Sequence, residues 1–249
     1  MISIIIPVFN ESMNIGWLIR HLRLHDKTGA CEIIVVDGGS TDDTPEIAEA
    51  EGAFVYQSSV RRRAAQMNLG ASKAKGNILY FVHADSRPPE TYVRDILHCT
   101  AKGDHLGCYR LRFNSRLRML KFNAWYTRFN GAFSGGGDQS LFVLKPVFDL
   151  LEGFDENRPI MEDFDFVRRA KRGHRFCVMK GDILISARKY ESNGYLRVNA
   201  VNLIVMTLDL LRVSPQRIDN LYRKLLRPYP VQREHQLQNA KEHNQFMNS

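Results

Sequence analysis

Three polar segments each follow an apolar run and carry groups that can bind a ligand or move a proton. They are Pro7-Val8-Phe9-Asn10-Glu11, Asp37-Gly38-Gly39-Ser40-Thr41-Asp42-Asp43 and His83-Ala84-Asp85. A fourth segment, Ile160-Met161-Glu162-Asp163-Phe164-Asp165, crowds carboxylates at the start of a predicted helix. A carboxylate can take the proton from an attacking hydroxyl, or hold a divalent cation through a hard oxygen. Asp37 at a strand end offers an acceptor to the ring N–H of a nucleotide base. Arg63, near a helix start, can meet a phosphate with its guanidinium and with free backbone N–H groups. Each feature also has a plainer explanation. A lone loop carboxylate is commonly a helix cap or a solvated charge. Arg61-Arg62-Arg63 reads as a solvated basic face, His83 as a packed loop histidine, and acids at a helix start as an answer to the helix dipole. Three polar strand ends on one rim weaken those explanations, because open parallel sheets bind ligands at the carboxyl ends of their strands.

The elements that must position these groups follow from periodicity. Ile2 to Ile6 is a continuous β-branched run, as in a buried parallel strand, and Ile15, Leu18, Ile19 and Leu22 recur at helical spacing. Glu32 to Val36, Ala53 to Tyr56 and Asn77 to Val82 predict further strands, with helices from Thr44-Pro45 and over Arg62 to Lys75 between them. This β-α-β-α-β-α-β order predicts an α/β fold with a mostly parallel sheet flanked by helices. The second half is less regular. Leu106 to Phe113, Phe176 to Met179 and Ile183 to Ala187 predict strands. Leu117 to Phe129, Glu162 to Arg172, Tyr195 to Leu211 and Pro215 to Leu226 predict helices. Gly135-Gly136-Gly137 predicts a turn or a close-approach loop. A single domain over 1–227 is expected, with a donor-binding half over 1–105, an acceptor half over 106–190 and C-terminal helices over 195–227. The Pro-, Gln-, Asn- and His-rich stretch 228–249 predicts a disordered tail.

Composition narrows the class. With 249 residues, 44% apolar and 25% charged, the chain can bury a sizeable core. The start resembles no signal peptide, and Ala200 to Leu211 is too short for the roughly 20 residues that span a bilayer. Cys31, Cys99, Cys108 and Cys177 lack metal-ligand spacing and read as reduced thiols of a cytoplasmic protein. The formal net charge of +8 suits nucleic acid, anionic lipid or a phosphorylated substrate, and does not choose among them.

The order Ile-Pro-Val-Phe-Asn-Glu, Val-Val-Asp-Gly-Gly-Ser-Thr-Asp, Phe-Val-His-Ala-Asp and Glu-Asp-Phe-Asp resembles glycosyltransferase family 2 over about residues 2 to 190. Arg63-Ala64-Ala65-Gln66-Met67-Asn68-Leu69-Gly70-Ala71 and Gly137-Asp138-Gln139-Ser140 are similar to a bacterial subgroup associated with radical-SAM and selenium domains. The resemblance implies a GT-A fold, a nucleotide-diphosphate-sugar donor (by default a UDP-sugar), inversion at the anomeric carbon, and Mn²⁺ or Mg²⁺. It implies donor binding by Pro7, Asn10, Glu11, Asp37, Arg63, Asn68, His83, Ala84 and Asp85, with Asp85 as the metal ligand. Asp163 corresponds to the catalytic base and Glu162 is the second choice. Gly137, Asp138, Gln139, Arg188 and Tyr190 fall where the acceptor binds. The chain departs from the family at His83, where the metal motif has a carboxylate, and at Tyr190, where many relatives have tryptophan.

Two other readings compete. A sugar-nucleotide nucleotidyltransferase shares the architecture, but usually has a Gly-rich basic loop after the first strand, and Val8 to Ser12 has neither glycine nor a basic residue. A non-catalytic nucleotide- or nucleic-acid-binding protein suits the charge, but the aromatic-basic strand signature and helix-turn-helix punctuation of nucleic-acid binders are missing. The expected partners are a nucleotide-sugar donor and a lipid-linked or small-molecule acceptor, without nucleic acid. The Tyr195 to Leu211 helix predicts a core or homodimer contact, or, for a lipid acceptor, a peripheral contact at the inner face of a membrane.

Overall fold

The computed structural model describes residues 1–227 apart from Arg116 and residues 132–134; the predicted tail over 228–249 lies outside the described residues. The first half alternates as expected: β1 (Ile2–Val8), α1 (Ser12–His25), β2 (Cys31–Asp37), α2 (Thr44–Ala50), β3 (Phe54–Gln57), α3 (Arg63–Lys73) and β4 (Ile78–Phe81). Then come α4 (Tyr92–Ala101), β5 (Leu106–Asn114), α5 (Leu120–Tyr126), a 3-10 turn (Gly137–Gln139), β6 (Leu141–Leu144), α6 (Lys145–Leu150) and α7 (Glu162–Ala170). The described chain ends with β7 (Phe176–Ser186), α8 (Arg188–Asn193), α9 (Tyr195–Leu210) and α10 (Pro215–Leu225).

The strands form one seven-stranded sheet in the order β3-β2-β1-β4-β6-β5-β7. β1 to β4 are parallel, β6 runs antiparallel to both β4 and β5, and β7 pairs parallel with β5. Side-chain alternation divides the core in two. Ile4, Ile6 and Val8 pack with Ile15, Leu18 and Leu22 of α1 and with Tyr92 and Ile96 of α4. Ile5, Val36, Leu79 and Phe81 pack with Met67 and Ala71 of α3 and with Phe148 and Phe166 of α6 and α7. α3 sits so close to the sheet that a Cβ on Gly70 would lie 2.4 Å from Ile5 Cγ2. A third cluster, Val198, Val201, Val205, Ile218 and Leu226, joins the C-terminal helices.

Several boundaries differ from the sequence expectation. The two strands expected over Phe176 to Met179 and Ile183 to Ala187 are one strand, β7, bulged at Lys180 and Gly181 where the register shifts opposite Tyr109 and Arg110. A Cβ on Gly181 would sit 2.8 Å from the Tyr109 ring, so the bulge lets the strand pass that ring. The helix expected over Leu117 to Phe129 is confined to Leu120–Tyr126. α4, β6, α6 and α8 were not anticipated; β6 has only four residues, and an apolar run that short shows no period.

Candidate active site

The loops after β1 and β2 are tied together. Asn10 has φ of 54°, its Oδ1 accepts from Thr41 N at 2.8 Å, and its own N–H donates to Ser40 Oγ at 2.9 Å. Glu11 N–H donates to Thr44 Oγ1 at 2.8 Å. Buried Gln66 on α3 donates to the carbonyls of Val8 and Val36, both at 2.8 Å, so it pins the ends of both strands. The Arg61 guanidinium lies 3.4 Å over the Phe9 ring. Asp37 is buried at the end of β2, and its carboxylate accepts from the N–H groups of Gly39 and Ser40 and from Ser40 Oγ. It orders its own loop, with Gln57 Nε2 at 3.5 Å.

Beside this rim lies a cavity of about 320 Å³. Five segments far apart in sequence contribute to it: Arg63 on α3, Asp85 after β4, Asp138 and Gln139 in the 3-10 turn, Asp163 on α7, and Arg188, Lys189 and Tyr190 on α8. Leu111, Phe113, Ile160 and Phe164 supply apolar wall. Of the residues expected at the site, Pro7, Asn10, Glu11, Asp37, Asn68, His83, Ala84 and Glu162 do not line this cavity. Pro7 pairs with Val36 inside the sheet and Ala84 is buried.

Burial sorts the carboxylates of α7. Asp163 lines the cavity at 6% exposure. Its carboxyl is pushed up to about 7 by burial and by the adjacent Glu162 charge, against the pull of Arg63. The helix N-terminus favours a carboxylate here, yet burial wins. Asp163 Oδ1 also accepts from Phe164 N at 2.7 Å. Glu162 is turned away from the cavity and bonds the Arg63 guanidinium, while its Oε2 has no hydrogen-bond partner among the described residues. Glu162 therefore holds Arg63. Asp165 is spent on Arg168 at 3.0 Å and Arg169 at 2.8 Å. Met161, before α7, takes a left-handed φ of 65° and lines the cavity. Burial lifts the Glu11 carboxyl to about 7 as well, against the bond from Asn14 and with the neighbouring Asp85 charge adding to it. Burial and Arg63 both lower the His83 imidazole, which keeps it neutral.

Other expected residues have structural work to do. The Asn68 amide clasps Phe154, accepting from its N–H at 3.0 Å and donating to its carbonyl at 2.9 Å. Gln139 donates to the Tyr109 carbonyl at 2.9 Å and accepts from Gly135 N at 2.7 Å, fixing the glycine loop to β5. A Cβ on Gly135 or Gly136 would come within 2.7 Å of Val167 or Phe164, so these glycines admit α7, the helix of Asp163, rather than a ligand alone. Arg188 donates from Nε to Ser186 Oγ at 2.9 Å and brings Nη2 to 3.4 Å from Asp85 Oδ2. The Tyr190 hydroxyl accepts from Asn123 at 3.1 Å, and its ring packs edge-on to Phe113. The sequence reading missed Lys189, Asn202 and Tyr222. Lys189 Nζ donates to Asn202 Oδ1 at 3.1 Å, sits 5.0 Å over the Tyr222 ring, and has its pKa lowered by burial. No local signal marks it, because its partners come from α9 and α10.

Asp85 is a hard oxygen donor at the cavity wall, two-thirds shielded, while His83, two residues before it, does not line the cavity. A single carboxylate of this kind fits one position of a divalent cation, and oxygens of a bound ligand and water would have to supply the others. Among the described residues no three ligand atoms converge there; Cys99, Asp104 and Cys177 do converge, within 4.8 Å of one another, elsewhere in the fold.

A parallel half closed by antiparallel β6, with carboxylates at the strand ends, has the GT-A architecture of the solved sugar transferases on which it superposes. The chain belongs to glycosyl transferase family 2, whose model matches residues 3–131. A Klebsiella pneumoniae undecaprenyl-phosphate 4-deoxy-4-formamido-L-arabinose transferase is 31% identical over 89% of this chain and 70% of its own. An uncharacterised protein of Methanocaldococcus jannaschii is 41% identical over 61 residues, and this chain spans only 24% of that protein's length. A mannosyltransferase from Pyrobaculum calidifontis, solved with GDP-Man and Mn²⁺, superposes with a TM-score of 0.67 at 17% identity, over 85% of this chain and 64% of that one. At that identity the likeness concerns the fold alone.

Proposed function

We propose that this chain is an inverting glycosyltransferase that moves a sugar from a nucleoside-diphosphate donor, a UDP-sugar by resemblance, to an acceptor hydroxyl or phosphate oxygen. The observation that carries this reading is Asp163, a carboxyl raised to about 7 on the wall of the cavity that also receives Asp85, Asp138 and Arg188. A base with a pKa near neutrality is ionised often enough to act and basic enough to take a proton. In a single displacement, an acceptor oxygen forms the bond to the anomeric carbon while the bond to the diphosphate breaks. The acceptor's proton, where it has one, passes to Asp163. Arg63, held by Glu162, and Arg188 offset charge on the diphosphate. Asp85 would hold the Mn²⁺ or Mg²⁺ that supplies further charge stabilisation to the leaving group. Asp138 faces the sugar hydroxyls, and the tied loops at Asn10, Glu11 and Asp37 hold the base and ribose. Membership of the radical-SAM-associated subgroup rests on the Arg63 to Ala71 and Gly137 to Ser140 segments.

The acceptor side joins apolar wall to cations, Arg188 and Lys189, which suits a phosphorylated acceptor with an apolar portion. The name of the Klebsiella relative supports a lipid phosphate. The test is a thermal-shift panel of UDP, GDP, dTDP and CDP with and without Mn²⁺, on the native chain and on Asp85→Ala. One nucleotide is expected to stabilise the native chain only with Mn²⁺, and to lose that effect in Asp85→Ala. No stabilisation by any nucleotide overturns the proposal.

A further inference from the structure

The outer faces of α5 and α9 are apolar and carry charge of one sign. On α9 the exposed positions follow one helical stripe, Leu196, Leu203, Ile204 and Leu210, continued just past its end by Leu211, with Leu196 at 75% and Leu211 at 69% exposure. On α5 the stripe is aromatic: Phe122, Trp125 and Tyr126, continued just beyond the helix by Phe129, and Phe122 is 65% exposed. The two helices are joined edge to edge through Asn123, which donates to Asn199 at 2.8 Å and accepts from Tyr195 at 2.9 Å. Arg118, Lys121, Arg128, Arg197 and Arg212 stand exposed among these side chains. Among the described residues 115–130 and 195–227 the only carboxylates are Asp209 and Asp219, and both are buried.

An apolar and aromatic face ringed by cations, with one exposed acid, Glu191, at its edge on Ser115, fits a surface that is oily below and negative above. We infer that α5 and α9 dock this protein onto an anionic lipid surface. A second copy of the chain fits less well, because self-association through this face would set the same cations against each other. α9 lies along the surface and does not cross it. Its opposite stripe, Val198, Val201 and Val205, is buried against α10, and no described helix is long and apolar enough to span a membrane. The cavity opens between the same elements, with Thr127 just past α5 and Asn202 and Met206 of α9 in its wall. The inference thereby deepens the proposed function: a lipid-borne acceptor would approach from the plane on which the protein rests.

The chain has two tryptophans, and Trp17 lies on α1 against His21 and Arg87. In the full chain carrying Trp17→Phe, Trp125 is the only indole. Vesicles of phosphatidylcholine with phosphatidylglycerol are expected to blue-shift its emission and to carry the protein in flotation, while vesicles of phosphatidylcholine alone bind far less. High salt weakens the binding. Reversing three cations, Lys121→Glu, Arg128→Glu and Arg197→Glu together, is expected to reduce partitioning roughly a hundredfold. Leu203→Ser with Leu210→Ser, both at exposed positions, reduces it at unchanged charge. Nucleotide stabilisation measured on the same preparations stays intact. Equal binding to neutral and anionic vesicles, no binding, or a solution dimer sensitive to the leucine changes without vesicle binding would each overturn the docking. If nucleotide stabilisation survives that outcome, the proposed function stands without it.

Discussion

Replacing Asp163 by asparagine separates catalysis from stability in opposite directions. The carboxyl is 6% exposed and rises from its ordinary 3.8 to about 7, chiefly through burial. At about 1.4 kcal/mol per pH unit, the ionised side chain costs the fold up to roughly 4 kcal/mol. The sign follows from the direction. Below about pH 4 the group is protonated in both states and costs nothing. Between about pH 4 and 7 the unfolded chain releases the proton while the folded chain keeps it, so stability falls as pH rises, and the loss is complete above 7. Asparagine keeps an acceptor for Phe164 N and carries no charge to bury. Asp163→Asn is therefore expected to melt with the native chain at pH 4. At pH 8 it melts higher, by up to roughly 8–16 °C at about 2–4 °C per kcal/mol for a chain of this size. Turnover falls roughly 10²–10⁴-fold as the general base is lost, with Mn²⁺-dependent nucleotide stabilisation retained. Melting curves across pH and a donor-hydrolysis or transfer assay read both effects. Equal melting at pH 8 would refute the buried charge, and normal turnover would refute the assignment of the base.

Two further outcomes test the scaffold. Gly70→Ala drives a methyl into Ile5 and Val36 beneath α3 and should cost about 1–3 kcal/mol in urea denaturation, with α3 and its Arg63 displaced. Asp209 is buried on α9 and receives Arg158 and Arg168, both at 2.6 Å. Burial alone would raise its carboxyl, but the bonds from Arg168 and Arg158 outweigh it and hold the pKa low. Its contribution is then present above the unfolded carboxyl pKa and lost as pH falls through the lowered folded value. Asp209→Asn should cost about 2–3 kcal/mol at pH 7, less than the roughly 3–5 kcal/mol of a fully buried pair because Arg168 is about a third exposed, and melting curves of the two proteins should converge at acid pH.

The sequence by itself determined the alternation of β1 to β4 with α1 to α3, the helices α9 and α10, and the order of the polar strand ends. Those features are written locally, in periodicity over a few residues, in caps, and in motifs that keep their spacing. Asp85, Asp138, Asp163 and Arg188 could be named from them, and the tertiary structure gathers all four on one cavity wall. What each side chain does with its charge was decided by neighbours remote in the chain. Arg63 and Glu162, 99 residues apart, meet, which gives Glu162 a holding task and leaves Asp163 facing the cavity. Gln139 and Asn68 each clasp a backbone segment, and Gln139 does so while lining the cavity. Gly135 and Gly136 are small because α7 presses on them. Lys189 carried no motif and acquires its place from Asn202 and Tyr222. Burial sets the pKa of Asp163, and burial belongs to the assembled sheet and helices. A local pattern can say where a carboxylate falls in the chain, and only packing says whether water reaches it.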